Sequence, residues 1–96
     1  VKEMTLNDYI CRVDNCIWRI VDNETVILSR DGNNLHRLNE VGSEIWVKAD
    51  GTVTINEIVN HICSEFDADE NRAKIDTLDF IEKLVQKKLI TLKKDK

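Results

Sequence analysis

The side chains of this 96-residue sequence with the chemistry to bind a metal or to act as nucleophile and base are Cys11, Cys16, Cys63, His36 and His61. A metal site needs several such ligands converging on one point. Cys11 and Cys16 stand five apart, which in a strand sends them to opposite faces, and His61 and Cys63 stand two apart, about 200° around a helix. Neither pair chelates locally. Cys63 sits in a stripe with Ile55, Ile58, Val59, Ile62 and Phe66 and reads as a small core residue. Ser29, Ser43 and Ser64 lack the strand-turn-helix context of an activated serine, and two histidines leave little from which to build a catalytic triad. Gly32, Gly42 and Gly51 are isolated, so no glycine-rich loop cradles a phosphate. The expectation is a chain without catalytic residues, metal or cofactor, whose work is binding.

Composition narrows what it binds. The formal net charge is -4 and the isoelectric point about 5.1, which opposes attraction to nucleic acid or anionic lipid. An odd cysteine count fits a reducing, cytoplasmic compartment. No run approaches the ~18 apolar residues of a membrane span, and Val1 to Tyr9 lacks the apolar core of a secretion signal. The length suits one domain, with 42 % hydrophobic residues to build its core.

The elements follow from periodicity. β-Branched and aromatic residues cluster in Ile17 to Val21, Thr25 to Arg30 and Asn34 to Leu38, separated by Asp22-Asn23-Glu24 and Asp31-Gly32-Asn33. Such short intervals permit only antiparallel hairpins. Helical spacing then takes over. Asn39 caps a short helix bearing Val41, Ile45 and Trp46, weakened by Gly42 and ended at Asp50-Gly51. Thr54 and Glu57 form a capping box for a second helix. A third starts near Asp69 and runs to about Lys88, with an apolar arc of roughly 220°; Leu89 to Leu92 could close as a short strand. The expected architecture is α+β and winged helix-turn-helix-like: a three-stranded antiparallel sheet followed by three helices, spanning residues 16–92. Residues 1–15 are expected to be irregular and 93–96 a disordered tail.

The order Asn34-Leu35-His36-Arg37-Leu38-Asn39-Glu40, Ile45-Trp46, Asp50-Gly51-Thr52 and Ile55-Asn56-Glu57-Ile58-Val59 resembles the PqqD family. The likeness continues through Phe66-Asp67, Asp76, Phe80-Ile81, Leu84-Val85 and Leu89-Ile90. One departure is Lys88, where that family often places a glycine before the final leucine.

The resemblance implies a recognition element for ribosomally made, later modified peptides. In such domains a precursor's leader segment adds as a strand beside the third strand and lies against the third helix. The partners implied are the precursor peptide and a modifying enzyme, in many systems a radical S-adenosylmethionine enzyme. Strand addition suits an open sheet edge, here Leu35, His36, Arg37 and Leu38. The facing wall is expected from Arg72 and from the stripe Ile75, Leu78, Asp79 and Glu82, where the apolar arc meets the polar sector. His36 is assigned no chemistry. A homodimer through the open edge is compatible with this plan. The alternative is a winged-helix DNA-binding regulator, which Asp67, Asp69, Glu70 and Asp76 at the start of the third helix disfavour.

Overall fold

A computed structural model describes residues 4–14, 16–29 and 32–94. In chain order the elements are β1 (Tyr9–Arg12), β2 (Ile17–Val21), β3 (Glu24–Leu28), β4 (Leu35–Leu38), α1 (Glu40–Lys48), β5 (Asp50–Thr54), α2 (Ile55–Phe66), α3 (Glu70–Gln86) and β6 (Ile90–Lys93). The strands form two antiparallel sheets, ordered β5-β1-β6 and β2-β3-β4. The α+β class and the three helices are as expected. The sheet expected from the sequence is the second of the two. Its second strand ends at Leu28; Arg30 and Asp31 lie outside the described residues.

Alternation decides which face of that sheet is covered. Trp18 pairs with Ile27 and Ile27 with His36, while Ile20 pairs with Thr25 and Thr25 with Leu38. These rows share the inner face, because directly opposed residues point the same way. α1 covers that face: Trp18 meets Trp46 edge-on at 6.0 Å between centroids, and Thr25 Oγ1 donates to Ser43 Oγ at 2.7 Å. The outer face carries the row Ile17, Leu28, Leu35 and the row Arg19, Val26, Arg37. The β2–β3 hairpin turns on Asp22 and Asn23, both with positive φ, as a two-residue loop of the twist-matching type requires.

The expectation of an irregular N-terminal segment is corrected among the described residues. β1 is the central strand of the other sheet, and Ile10 within it is 0 % exposed. Thr5 to Asp8 form a turn, with the Asp8 N–H donating to the Thr5 carbonyl at 3.1 Å. The carbonyls of Asp8 and Leu6 then accept from the N–H groups of Ile55 and Asn56, both at 2.9 Å. With the capping box of Thr54 and Glu57 in place, the first-turn donors of α2 are satisfied by a segment nearly fifty residues upstream. Arg12 Nη1 donates to the carbonyls of Trp46 and Val47 at 2.7 and 2.8 Å, and its guanidinium stacks 5.2 Å over Trp18. One side chain thus joins the first sheet to the end of α1 and to the second sheet.

The expected disordered tail also needs correction. Lys93 ends β6, and Lys94 donates to the buried carboxylate of Asp8 at 3.1 Å; residues 95 and 96 lie outside the described residues. Burial pushes the Asp8 carboxyl up, but the Thr5 amide and the Lys94 ammonium outweigh it and hold the group below its ordinary value. α3 closes on Lys88 with φ +63°. The Leu89 N–H reaches the Leu84 carbonyl and the Lys88 N–H reaches that of Val85, the paired closure in which glycine is usual at the left-handed position.

Candidate peptide-binding site

β4 is an edge strand, paired with β3 on one side only. Its hydrogen-bonding pattern can be followed from the loop. The Ser29 N–H donates to the Asn34 carbonyl at 2.9 Å, so Ser29 and Asn34 form a hydrogen-bonded pair. Antiparallel partners alternate between bonded and unbonded pairs, and the register runs without interruption from Leu28 and Leu35 to Thr25 and Leu38. His36 and Leu38 therefore bond inward to β3, and the N–H and carbonyl groups of Leu35 and Arg37 face the open edge. The register of the β2–β3 hairpin, counted from its turn, gives the same alternation on β3.

A cleft of about 310 Å³ opens where β4 passes into α1. Asn39 and Gly42 form one wall, Ile62 and Phe66 of α2 the floor, and Arg72, Asp76 and Phe80 of α3 the other wall. Gly42 leaves room for the Phe80 ring: a Cβ there would lie 2.9 Å from Phe80 Cζ, so the ring would have to shift. A residue that weakens α1 by propensity thus accommodates Phe80 at the cleft. The Asn39 side chain accepts from the Gly42 N–H at 2.8 Å, fixing the corner between strand edge and helix. An apolar floor beside Phe80, with Asn39, Arg72 and Asp76 as the polar groups of the walls, suits an apolar side chain on an extended chain.

The residues expected at the site separate by face. Leu35 (68 % exposed) and Arg37 lie on the outer face, Arg37 within 3.8 Å of Glu24. His36 lies on the inner face and is half-buried, and Leu38, 6 % exposed, belongs to the core. On α3 the buried stripe is Ala73, Thr77, Ile81 and Leu84. Arg72, Asp76 and Phe80 recur every four residues along one flank, toward the cleft. Ile75, Leu78, Asp79 and Glu82 are absent from the cleft lining and fall on the other flank and the back of the helix. Leu78 packs against the core, Ile75 is 63 % exposed, and Asp79 pairs with Lys83 at 3.3 Å. Periodicity shows the width of an apolar arc but not which edge faces a groove; here the Gly42–Phe80 contact sets that phase.

Gly42, Asp76 and Phe80 line the cleft without having been assigned to the site from the sequence. Their signal was available as a glycine inside a helix, which often marks close approach of another element.

The electrostatics of the cleft are balanced. Arg72 Nε lies 3.2 Å from Asp76 Oδ2, one helical turn away, and the Asp69 side chain caps α3 by accepting from the Arg72 N–H. The Arg72 guanidinium is therefore already paired with Asp76, and Asp69 occupies the helix N-terminus, an arrangement unsuited to phosphates. Cys16 offers no activated nucleophile, since burial pushes its thiol up. Cys63 is partly buried against the core, at the border of the stripe expected to bury it fully. No helix among the described residues is long and apolar enough to cross a membrane.

No curated protein matches the chain. Among solved structures it resembles TbiB1 in complex with the TbiA(beta) leader peptide, with 30 % identity and a TM-score of 0.76, over 83 % of this chain and 93 % of that one. The family model for coenzyme PQQ synthesis protein D (PqqD) matches residues 24–90, the stretch that runs from β3 through the open edge, the cleft and all three helices. The chain belongs to the PqqD family.

Proposed function

We propose that this protein binds the leader segment of a ribosomally made precursor peptide by adding it as a strand to β4. The observation that carries the reading is the open edge, with the backbone groups of Leu35 and Arg37 facing outward beside a cleft walled by α1 and α3. An incoming strand gains main-chain hydrogen bonds from those two residues. Alternate side chains then turn toward the cleft, where shape selects among sequences. That the similar structure is a complex with a leader peptide supports this choice of ligand.

The domain acts in this reading without chemistry of its own, presenting the precursor to a separate modifying enzyme. Cysteines that form no disulfide fit work in a reducing, cytoplasmic setting. Of the α3 residues expected to touch peptide, Arg72 stands at the cleft, and Asp76 and Phe80 replace the stripe from Ile75 to Glu82. A homodimer formed edge to edge through β4 would compete with the leader.

The test is titration with synthetic peptides encoded beside this gene, observed through backbone amides. Leu35 and Arg37 should shift and gain protection from exchange. Arg37→Pro removes one outward N–H from an edge position where proline is tolerated. It should keep the fold and weaken the peptide about tenfold, the value of one hydrogen bond, whereas Arg37→Ala should bind nearly as the parent does. Silence of the β4 amides to every neighbouring peptide, or full affinity in Arg37→Pro, would overturn the reading.

A further inference from the structure

Tertiary packing completes a set of ligand atoms of which local spacing supplies only His61 and Glu65. Glu44 of α1 and His61 and Glu65 of α2 each place a ligand atom within 4.8 Å of the other two. His61 and Glu65 are one turn apart on the same helix face. Glu44 reaches across from the neighbouring helix, its Oε1 at 2.9 Å from His61 Nε2. The imidazole and the Glu44 carboxylate are both about two-thirds buried, at 28 % and 36 % side-chain exposure, so their geometry is held by the helix pair. The charge is left unbalanced. Among the described residues, the Glu44 side chain engages only His61, and the Glu65 side chain makes no hydrogen bond or ion pair. Two carboxylates therefore converge on one imidazole, with no lysine or arginine among the described residues in ion-pair distance of them.

We propose that Glu44, His61 and Glu65 form a binding site for a divalent transition-metal ion of the Zn²⁺ or Ni²⁺ class. Imidazole selects these ions over Mg²⁺ and Ca²⁺, which take all-oxygen sets. Two carboxylates supply the charge, and solvent completes the coordination. The ion takes the lone pair of Nε2, so the ring proton resides on Nδ1 and protons compete with metal. The site lies apart from the peptide cleft, since neither Glu44, His61 nor Glu65 lines it. Its effect is to clamp α1 onto α2, and bound metal stabilises the fold by mass action.

The experiment titrates Ni²⁺ into the untagged chain while amide spectra are recorded. Paramagnetic broadening should centre on Glu44, His61 and Glu65 at submillimolar metal. His61→Ala should abolish it. Glu65→Gln, at an exposed position that leaves the core intact, should weaken binding by about tenfold or more, since even a residue behind a metal ligand is commonly worth that much. The amide spectrum of each variant reports whether it remains folded. Broadening centred on Cys11, Cys16 or Cys63, absence of broadening, or identical broadening in both variants would overturn the assignment.

Discussion

The two sheets are alike in size and opposite in use. In β5-β1-β6 the chain closes on itself: Ile10 and Ile90 are in the core, the N-terminal turn supplies acceptors to α2, and Lys94 returns to Asp8 across 86 residues of sequence. In β2-β3-β4 one face packs on α1, while the outer face keeps Ile17 at 69 % exposure and β4 keeps a free edge. Edge strands invite pairing and natural proteins usually blunt them. The lesson is one of division: the first sheet is tied to both ends of the described chain, whereas the second leaves one edge unpaired, the edge that the proposed function assigns to a peptide.

That division can be attacked directly. Ile10→Ala empties a fully buried site in the closed sheet and should cost about 3 kcal/mol, read as a shifted denaturation midpoint. Peptide affinity of the molecules that remain folded should stay close to that of the parent chain. Arg12→Ala removes two charge-assisted hydrogen bonds and a stack on Trp18, and should cost about 2 kcal/mol; because Arg12 spans the sheets, its loss should also loosen the β2 amides in hydrogen exchange. Lys88→Gly relieves a left-handed residue at the end of α3 and should stabilise by about 1 kcal/mol, without changing peptide binding.

The smallest effect near neutral pH should come from Asp8. Its folded carboxyl titrates below the ordinary value of 3.8, so its stabilising contribution is complete above that value and is lost as pH falls through the lower folded one. Asp8→Asn should flatten the decline of stability below about pH 4, as measured by acid-induced unfolding. A decline as steep as that of the parent would show that the clasp between the termini contributes little.

Much of the fold was legible because local rules and tertiary packing agree. The Asn39 cap, the capping box of Thr54 and Glu57 and the start of α3 at Asp69 are short-range hydrogen bonds that depend on nearby residues alone. β2 and its turn were legible for the same reason. β1 was not, because Tyr9–Arg12 is short and its partners are β5, about forty residues on, and β6, about eighty. At the candidate site the edge residues Leu35 to Leu38 were read as one unit, yet alternation sends Leu35 and Arg37 outward and Leu38 into the core. The stripe from Ile75 to Glu82 was read as the helix wall, whereas α3 lines the cleft with Arg72, Asp76 and Phe80, since an arc of apolar residues has two margins and the sequence does not say which one meets α1.

The sequence by itself therefore determined the helices with their caps and the hairpin sheet. Each of these depends on residues within about one helical turn or one hairpin of each other. Tertiary structure alone decided the closed sheet, the cleft formed where Gly42 admits Phe80, and the meeting of Glu44 with His61 and Glu65. Those features need contacts between residues 17 to 86 positions apart, and only packing selects among the many such pairs a chain could make.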